Sequence, residues 1–511
     1  MIIGIHTVGV AIPNGAIDPA NAGISGTATI YLASEPFTSL PTDAAPNRHF
    51  EQALQAFTLR DTANHGSQIG GAMSVALGRM LLANPDGALD PSLFFGAVDG
   101  RTIRVLALEK NSPPGGESLD DAFVLFKGVM ETPELDSRSV AIPVRSSSAL
   151  LDAPIQDERF AGSGGVEGGA DLLDKPKPVA FGYSFGVTPV YLGVISGKHS
   201  YSVAGGRCLP INDVPAFYDR GVALTPAAAP PSAGEFSIDT ATGVVTIGGT
   251  VPTLPTCDIE GYAPAASFKT TTADIWKAIL EDFIDIPNAD VDSSSYNQMN
   301  SDQPAAVGLW VGADDVTALS VVNDLLLGAS AMGGCSRAGK FVIQLLATPS
   351  NVVRAVYDEK NIIEITRIIG PSNMNPTAWK YLVGYQKNYT VTVDTATGAA
   401  EAQRSFMRSE YRESVASDTD IQTRHRRSKP SIVPGLFAVQ ADADTEAARL
   451  LALMSGKALY RIDAGDLSPE LDLGHVVEMT YTRFNMNKRL GIIVGWSMDA
   501  PARRFNPVVF A

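Results

Sequence analysis

Between residues 26 and 146 the apolar positions fall in short runs. GTATIYLA at 26–33, AMSVALGRMLLA at 72–83, RTIRVLAL at 101–108, AFVLFKGVME at 122–131 and SRSVAIPVRS at 137–146 are apolar or alternating segments of strand length. The turn signals NPDG at 84–87, DGR at 99–101 and NSPPGG at 111–116 stand between them. Strands at such short spacing predict a sandwich or barrel. HFEQALQAFTLRD at 49–61 fits a strand or a helix, and the pattern alone does not choose. Residues 183–265 continue in β style. FSIDTATGVVTIGG at 236–249 predicts a hairpin turning at TATG, preceded by an exposed Pro/Ala loop, PAAAPPSAG, at 226–234.

Helical periodicity begins only after this. In TTADIWKAILEDFID, Thr271 and Asp274 stand in capping-box relation, and Ile275, Trp276, Ile279, Leu280 and Phe283 share a face. Burial of such a stripe contributes roughly 1.5–3 kcal/mol per large side chain, so ordinary core packing accounts for it. A second helix is predicted at 314–331, ending at Gly333 and Gly334, followed by the turn SRAG and the strand KFVIQLLAT. A third, at 444–457, leads into the strands ALYRIDA, HVVEMTYTRF and RLGIIVGWSMD. Isolated helices on antiparallel strands, without βαβ alternation, predict an α+β second half.

The two halves meet in residues 150–182. Gly162, Gly164, Gly165, Gly168 and Gly169 allow repeated positive φ, and Pro176 and Pro178 then exclude a helix or a central strand before the alternating VAFGYSFGV begins. This is the composition of a shaped joint between two β-rich bodies. A phosphate-loop reading fails: Glu167 occupies the place of the last glycine of GxGxxG, no Lys-Ser/Thr follows, and a carboxylate there repels phosphate.

The same stretch, Phe160 to Gly169 followed by Lys177, Pro178, Phe181 and Gly182, resembles a family of prophage-encoded tail proteins of long-tailed phages. YLASEPFTSLPTD at 31–43, NPDGALD at 84–90, AVDGRTIRVLAL at 97–108, YDRGVALT at 218–225 and LDLGHVVEMT at 471–480 extend the resemblance, in order, along nearly the whole chain. It implies a tail-tip or baseplate hub-like structural protein, a homotrimeric ring around the DNA channel. Its partners would be the tail tube, the distal tail protein, the tape measure protein and the tip or receptor-binding proteins. Together with the pattern it gives a β-rich α+β multidomain fold, with N-terminal β-barrel or sandwich domains and a C-terminal α+β hub-like domain. The expected division is 1–149 as an N-terminal β-rich hub domain, 150–182 as the Gly/Pro joint, 183–265 as a β-rich insertion, 266–400 as an α+β domain and 401–511 as a C-terminal α+β segment completing the hub. The expected location is the virion's tail tip, after assembly in the host cytoplasm. A distal tail protein ring, a receptor-binding fibre module and a peptidoglycan hydrolase are the alternatives; no internal period supports the fibre reading.

Composition narrows this further. With 511 residues, 45% hydrophobic, 47 glycines and 33 prolines, the chain can build several β-rich, loop-rich domains. No apolar run reaches the roughly 18–20 residues of a membrane span, and the N-terminus lacks the basic region of a signal peptide. The formal charge of −16 disfavours specific nucleic-acid binding, yet suits a wall past which DNA slides. Acidity concentrates at 278–336, with nine Asp and Glu and no Lys or Arg. The one basic concentration is 404–429, with Arg404, Arg408, Arg412, Arg424, Arg426, Arg427 and Lys429. Opposite patches on one chain suit pairing between neighbouring copies, against the simpler reading of two solvated faces.

Candidate chemistry is sparse. Cys208, Cys257 and Cys335 lack CxxC spacing and read as free thiols; a metal or iron–sulfur site completed by another subunit is the minor alternative, suggested by the tail-tip resemblance. His6, His49, His65, His199, His425 and His475 lie in no HExxH or peptidase-like signature, no GxSxG elbow occurs, and His475 is expected on a surface or loop. NPDGALD lacks the alternating oxygen ligands of a calcium loop and reads as a turn, and the Asp-rich 281–302 stretch gives no strong cation site. No catalytic, cofactor-binding or metal-binding residue is therefore assigned, and the protein is expected not to be an enzyme.

Overall fold

The computed structural model describes residues 5–13, 29–62, 70–72, 77–90, 100–109, 116–312, 314–370, 377–465, 471–499 and 504–511. The predicted strands at 26–33, 72–83, 101–108, 122–131 and 137–146 are found as Thr29–Ala33, Leu77–Ala83, Thr102–Glu109, Phe123–Met130 and Ser139–Ser146. Parts of the first two segments, and of the DGR and NSPPGG turns, lie outside the described residues. Adjacent partners run in the order Leu54–Thr62, Leu77–Ala83, Ser139–Ser146, Phe123–Met130, Thr102–Glu109, Ile5–Pro13, Thr29–Ala33, His49–Gln52. Their inward residues, among them Met80, Leu82, Ile103, Leu125, Ile142 and Val144, are buried, as period-two strands with one covered face require.

The undecided segment at 49–61 is extended. Phe50, Leu54 and Phe57 have helical spacing, but the strand breaks at Ala53 and its register shifts between Leu54 and Ala56, which changes the parity of the buried positions. Ala53 also links the two ends of this path. Its N–H donates to the Ala33 carbonyl at 3.1 Å, and its own carbonyl accepts from the Ala83 N–H at 2.7 Å. The ladder is interrupted there, so the β-rich expectation holds while no closed barrel is present among the described residues.

The same sheet takes in the C-terminus. Met486–Asp499 pairs with Val476–Tyr481 along its first half and with Leu54–Thr62 along its second, from Gly495 opposite Thr62 to Asp499 opposite Thr58. On its other side come Arg504–Phe510, Leu459–Ala464 and finally Ile362–Ile368. Strands from opposite ends of the chain thus share one hydrogen-bonded layer.

Two five-stranded sheets follow the joint. One contains Val179–Val187, Pro255–Tyr262, Ile211–Asp219 and Gly308–Val311; the other contains Val190–Ile195, Lys198–Ser202 and the predicted hairpin, Glu235–Asp239 with Val244–Ile247. Aromatic rings fasten them face to face: Tyr201 to Phe217 at 5.8 Å, and Phe217 to Phe236 at 6.0 Å. Gly182 has φ +56°, and any Cβ would collide with the Val307 carbonyl, so only glycine lets Gly308–Val311 pair there.

The predicted helix at 271–285 is Thr272–Ala278, continued as a wider turn over Ile279–Phe283. The Thr271 hydroxyl accepts from the Asp274 N–H at 3.1 Å, and the whole expected stripe is buried. The second helix is Ala318–Gly328, capped by Thr317. Residues predicted to close it instead form the strand Ala331–Cys335, where a side chain at Gly333 would press on Leu326. The third helix starts earlier than expected, spanning Gln440–Met454. It covers one face of a three-stranded sheet, Arg412–Ser417, Lys380–Tyr385 and Ser431–Phe437. Among the described residues no helix is long and apolar enough to cross a membrane.

Candidate functional site: joint, buried arginine and charged ends

Glycine supplies the shape of the joint. Gly162, Gly164, Gly165 and Gly168 have φ between +63° and +93°, while Gly169 is extended at −77°. The loop closes on itself through Gly162 N–H to the Glu167 carbonyl at 3.0 Å and Gly164 N–H to the Gly168 carbonyl at 2.7 Å. Glu167, the residue that spoiled the phosphate-loop motif, holds this turn in place. Its carboxylate accepts from the Ala161 N–H at 3.0 Å and from Lys177 Nζ at 2.9 Å, and these two interactions pull its pKa below the ordinary range. Lys177, whose side chain is 15% exposed, also lies 3.7 Å from Glu158 and over the Phe160 ring. Phe160 and Leu172 in turn pack on Leu192 and Val244 of the second five-stranded sheet.

The joint is also tied to the acidic stretch. Arg159 pairs with Asp315 at 2.6 Å, and Arg207 bridges Asp157 at 2.7 Å and Asp285 at 2.9 Å. Asp290 reaches Lys127 of the N-terminal sheet at 3.1 Å. Glu281 engages Lys277 and Asn288, Asp282 accepts from the Tyr262 hydroxyl, and Asp302 accepts from Gln298. Asp292 caps Ser293–Asp302, a helix without an apolar stripe, which the sequence pattern does not reveal. Most of the acidity therefore knits the chain together internally. Among the described residues Asp314 and Asp324 make no hydrogen bond or ion pair; both line a hollow of about 320 Å³ together with Val311, Lys387, Tyr389 and Leu436. Desolvation holds the Asp324 carboxyl above its ordinary range, and the charge of Lys387 offsets this only in part.

The basic residues divide in the same way. Arg404 pairs with Glu401 at 2.9 Å, and Arg412 lies over the Phe406 ring and donates to Gln386. The loop after Thr419–Arg424 is different: Arg424, Arg426, Arg427 and Lys429 are all exposed. Its backbone is fixed by Ser428, whose N–H donates to the His425 carbonyl at 2.8 Å and whose hydroxyl donates to the Thr377 carbonyl at 2.5 Å.

The principal structural residue missed by sequence reasoning is Arg337, in the SRAG turn, where a charge reads as exposed. It is 3% exposed. Its guanidinium lies 4.8 Å from the Trp496 ring centre and 5.1 Å from that of Phe505, and it donates to the Leu471 carbonyl. Its backbone N–H donates to the Asp472 carboxylate at 2.9 Å, and its carbonyl accepts from the Lys127 N–H at 2.8 Å. The Trp496 indole also donates to Asp472, at 3.3 Å. The residue thus connects three parts of the chain, its side chain joining the central hairpin to the C-terminal sheet and its backbone joining that hairpin to the N-terminal strand.

The histidines are not brought together. His49 meets Thr38, His199 meets the Tyr191 hydroxyl, and His475, in a turn as expected, accepts from the Asp472 N–H at 3.1 Å. His425 sits in the exposed basic loop; His65 and the side chain of His6 lie outside the described residues. Cys208, Cys257 and Cys335 are free and buried, and burial pushes the Cys208 thiol up to about 12. No group of three metal-ligating side chains occurs among the described residues. In NPDGALD the Asn84 amide donates to Asp90, giving the expected turn.

No protein-family model matches the chain, and no curated protein matches it. Solved structures do. The 43 kDa tail protein of prophage MuSo2 from Shewanella oneidensis is 10% identical, with 91% of this chain and 95% of that chain covered and a TM-score of 0.40. A chain of the virion of a native gene transfer agent particle is 13% identical, with 66% and 84% covered and a TM-score of 0.42. The prophage tail protein gp18 from Listeria monocytogenes EGD-e is 8% identical, with 91% of both chains covered and a TM-score of 0.33. The solved structures to which this chain is similar thus include two prophage tail proteins and a component of a gene transfer agent virion.

Proposed function

We propose that this chain is a structural virion protein of a long-tailed phage, a hub-like component of the tail tip. It forms a ring around the DNA channel and links the tail tube and distal tail protein to the tip proteins. The observation that carries this reading is the joint. Of the residues that bear the ordered resemblance to tail proteins, Phe160 and Leu172 pack on the second five-stranded sheet and Lys177 holds Glu167, while the adjoining Asp157 and Arg159 ion-pair the joint to Arg207 and Asp315. Such a connector transmits load between attached parts, and its glycine, lysine and glutamate are accounted for by holding shape. The function is mechanical, and no substrate is turned over. In this role the joint glycines set geometry, while the exposed arginines and the unpaired carboxylates contact other subunits.

Deletion of the gene from a producing strain tests the proposal. Particles should then lack completed tails or carry tails without a tip, with restoration by the gene supplied in trans. Normal, infectious tails from the deletion strain would refute it. A count of three copies per tail supports the hub, and six would assign the chain to the distal tail ring.

A further inference from the structure

The three-stranded sheet has two chemically opposite ends. Lys380–Tyr385 and Ser431–Phe437 run parallel, with Tyr381 opposite Ser431 and Tyr385 opposite Phe437. The basic loop 424–429 feeds directly into Ser431, so it stands at the start of both strands. Leu436, Lys387 and Tyr389 come at their far ends and help to line the hollow that contains Asp314 and Asp324. At roughly 3.3 Å per residue the two ends are about 20 Å apart.

We propose that copies of this chain dock head to tail, with the loop Arg424–Lys429 of one seated in the Asp314/Asp324 hollow of the next. The inference rests on the ring reading above and names the surface that builds it. Charge complementarity identifies the occupant. Four exposed cations project on a pinned loop, whereas the hollow offers apolar walls and two carboxylates that make no ion pair among the described residues. Lys387, the cation in the hollow, is drawn toward Glu410 and lies over the Tyr389 and Tyr411 rings, so it leaves the carboxylates short of positive charge. A guanidinium entering beside Asp314 and Asp324 meets two exposed carboxylates with complementary charge. Beside the loop, Leu382 lies in register between Val415 and Ile432, which are 52% and 62% exposed, on the face turned away from Gln440–Met454. This row adds apolar contact. Because the two surfaces differ and occupy opposite ends of one sheet, the contact is heterologous, and rotation at each step closes a ring.

The test uses the full chain in two double variants, Arg426→Glu with Arg427→Glu, and Asp314→Lys with Asp324→Lys, plus their combination, weighed by light scattering. The parent chain should form an oligomer. Each double variant should weaken association about tenfold to a hundredfold, and the combined charge swap should restore it. Asp314 is exposed, so Asp314→Lys alone guards against loss of fold, checked by circular dichroism. Oligomers unaffected by either reversal, or a parent chain that stays monomeric up to its solubility limit, would overturn the proposal. Presence of the chain in purified tails is read separately, so failure of this contact is distinct from failure of the tail assignment.

Discussion

Replacing Arg337 by alanine should loosen the junction between the central hairpin and the C-terminal sheet more than any surface change. The buried guanidinium faces two aromatic rings, an arrangement worth about 2 kcal/mol when desolvated. Its hydrogen bond to the Leu471 carbonyl adds roughly 1.5–3 kcal/mol as a charged donor. Truncation also leaves that carbonyl unpaired and opens space beside Trp496, so the total loss is about 3–5 kcal/mol. Arg337→Met keeps the volume and should cost about 1–3 kcal/mol, mainly for the orphaned carbonyl. For bodies of 150–250 residues each kcal/mol moves a melting midpoint by roughly 2–4 °C. Scanning calorimetry should therefore show Arg337→Ala lowering the affected transition by about 6–20 °C, with the methionine variant in between. An unchanged midpoint for the alanine variant would refute the reasoning.

Four further outcomes are expected. Gly182→Ala places a methyl group on the Val307 carbonyl and should remove soluble protein from expression trials; a normal yield would show that Gly308–Val311 does not need that approach. Lys177→Ala releases Glu158 and Glu167 together and should expose 161–169 to proteases, with the cuts mapped by mass spectrometry. The depressed Glu167 pKa gives the same loop a pH dependence: its contribution is complete above the ordinary value of 4.5 and is lost as pH falls through the lower folded value. Protease resistance of the joint that is insensitive to acid would count against this anchor. Finally, Cys208, Cys257 and Cys335 should resist a thiol reagent in the native protein and react in denaturant, since burial removes access to all three and suppresses the thiolate of Cys208 and Cys257.

Local physics was legible in the sequence where one segment carried its whole signal. Thr271 with Asp274, the TATG turn and the alternating strands of the first 146 residues announce themselves through caps, turns and period. Ser293–Asp302 was hidden because only Met299 is buried along it, so no stripe marks it. Ala331–Cys335 was misread because its small residues extend the preceding helical run, and only the crowding at Gly333 against Leu326 shows why it is a strand. The long-range pairing of Leu54–Thr62 with Met486–Asp499 has no local signature. At the site, the joint's glycines and prolines disclosed a shaped turn, but the role of Glu167 required Lys177 and Ala161 to be seen beside it. Arg337 was invisible for the same reason: its partners, Trp496, Phe505 and Asp472, are distant in sequence. The charged patches were visible as composition; their separation into internally paired residues and exposed ends is a property of the fold.

The central claim, that this chain works as a part of a phage tail, is tested most directly by quantitative mass spectrometry of tails purified from a strain that encodes it. The account predicts the chain in every preparation at a fixed, low copy number relative to the tail-tube protein, retained through stringent washing. Its absence from intact, infectious tails would contradict the account.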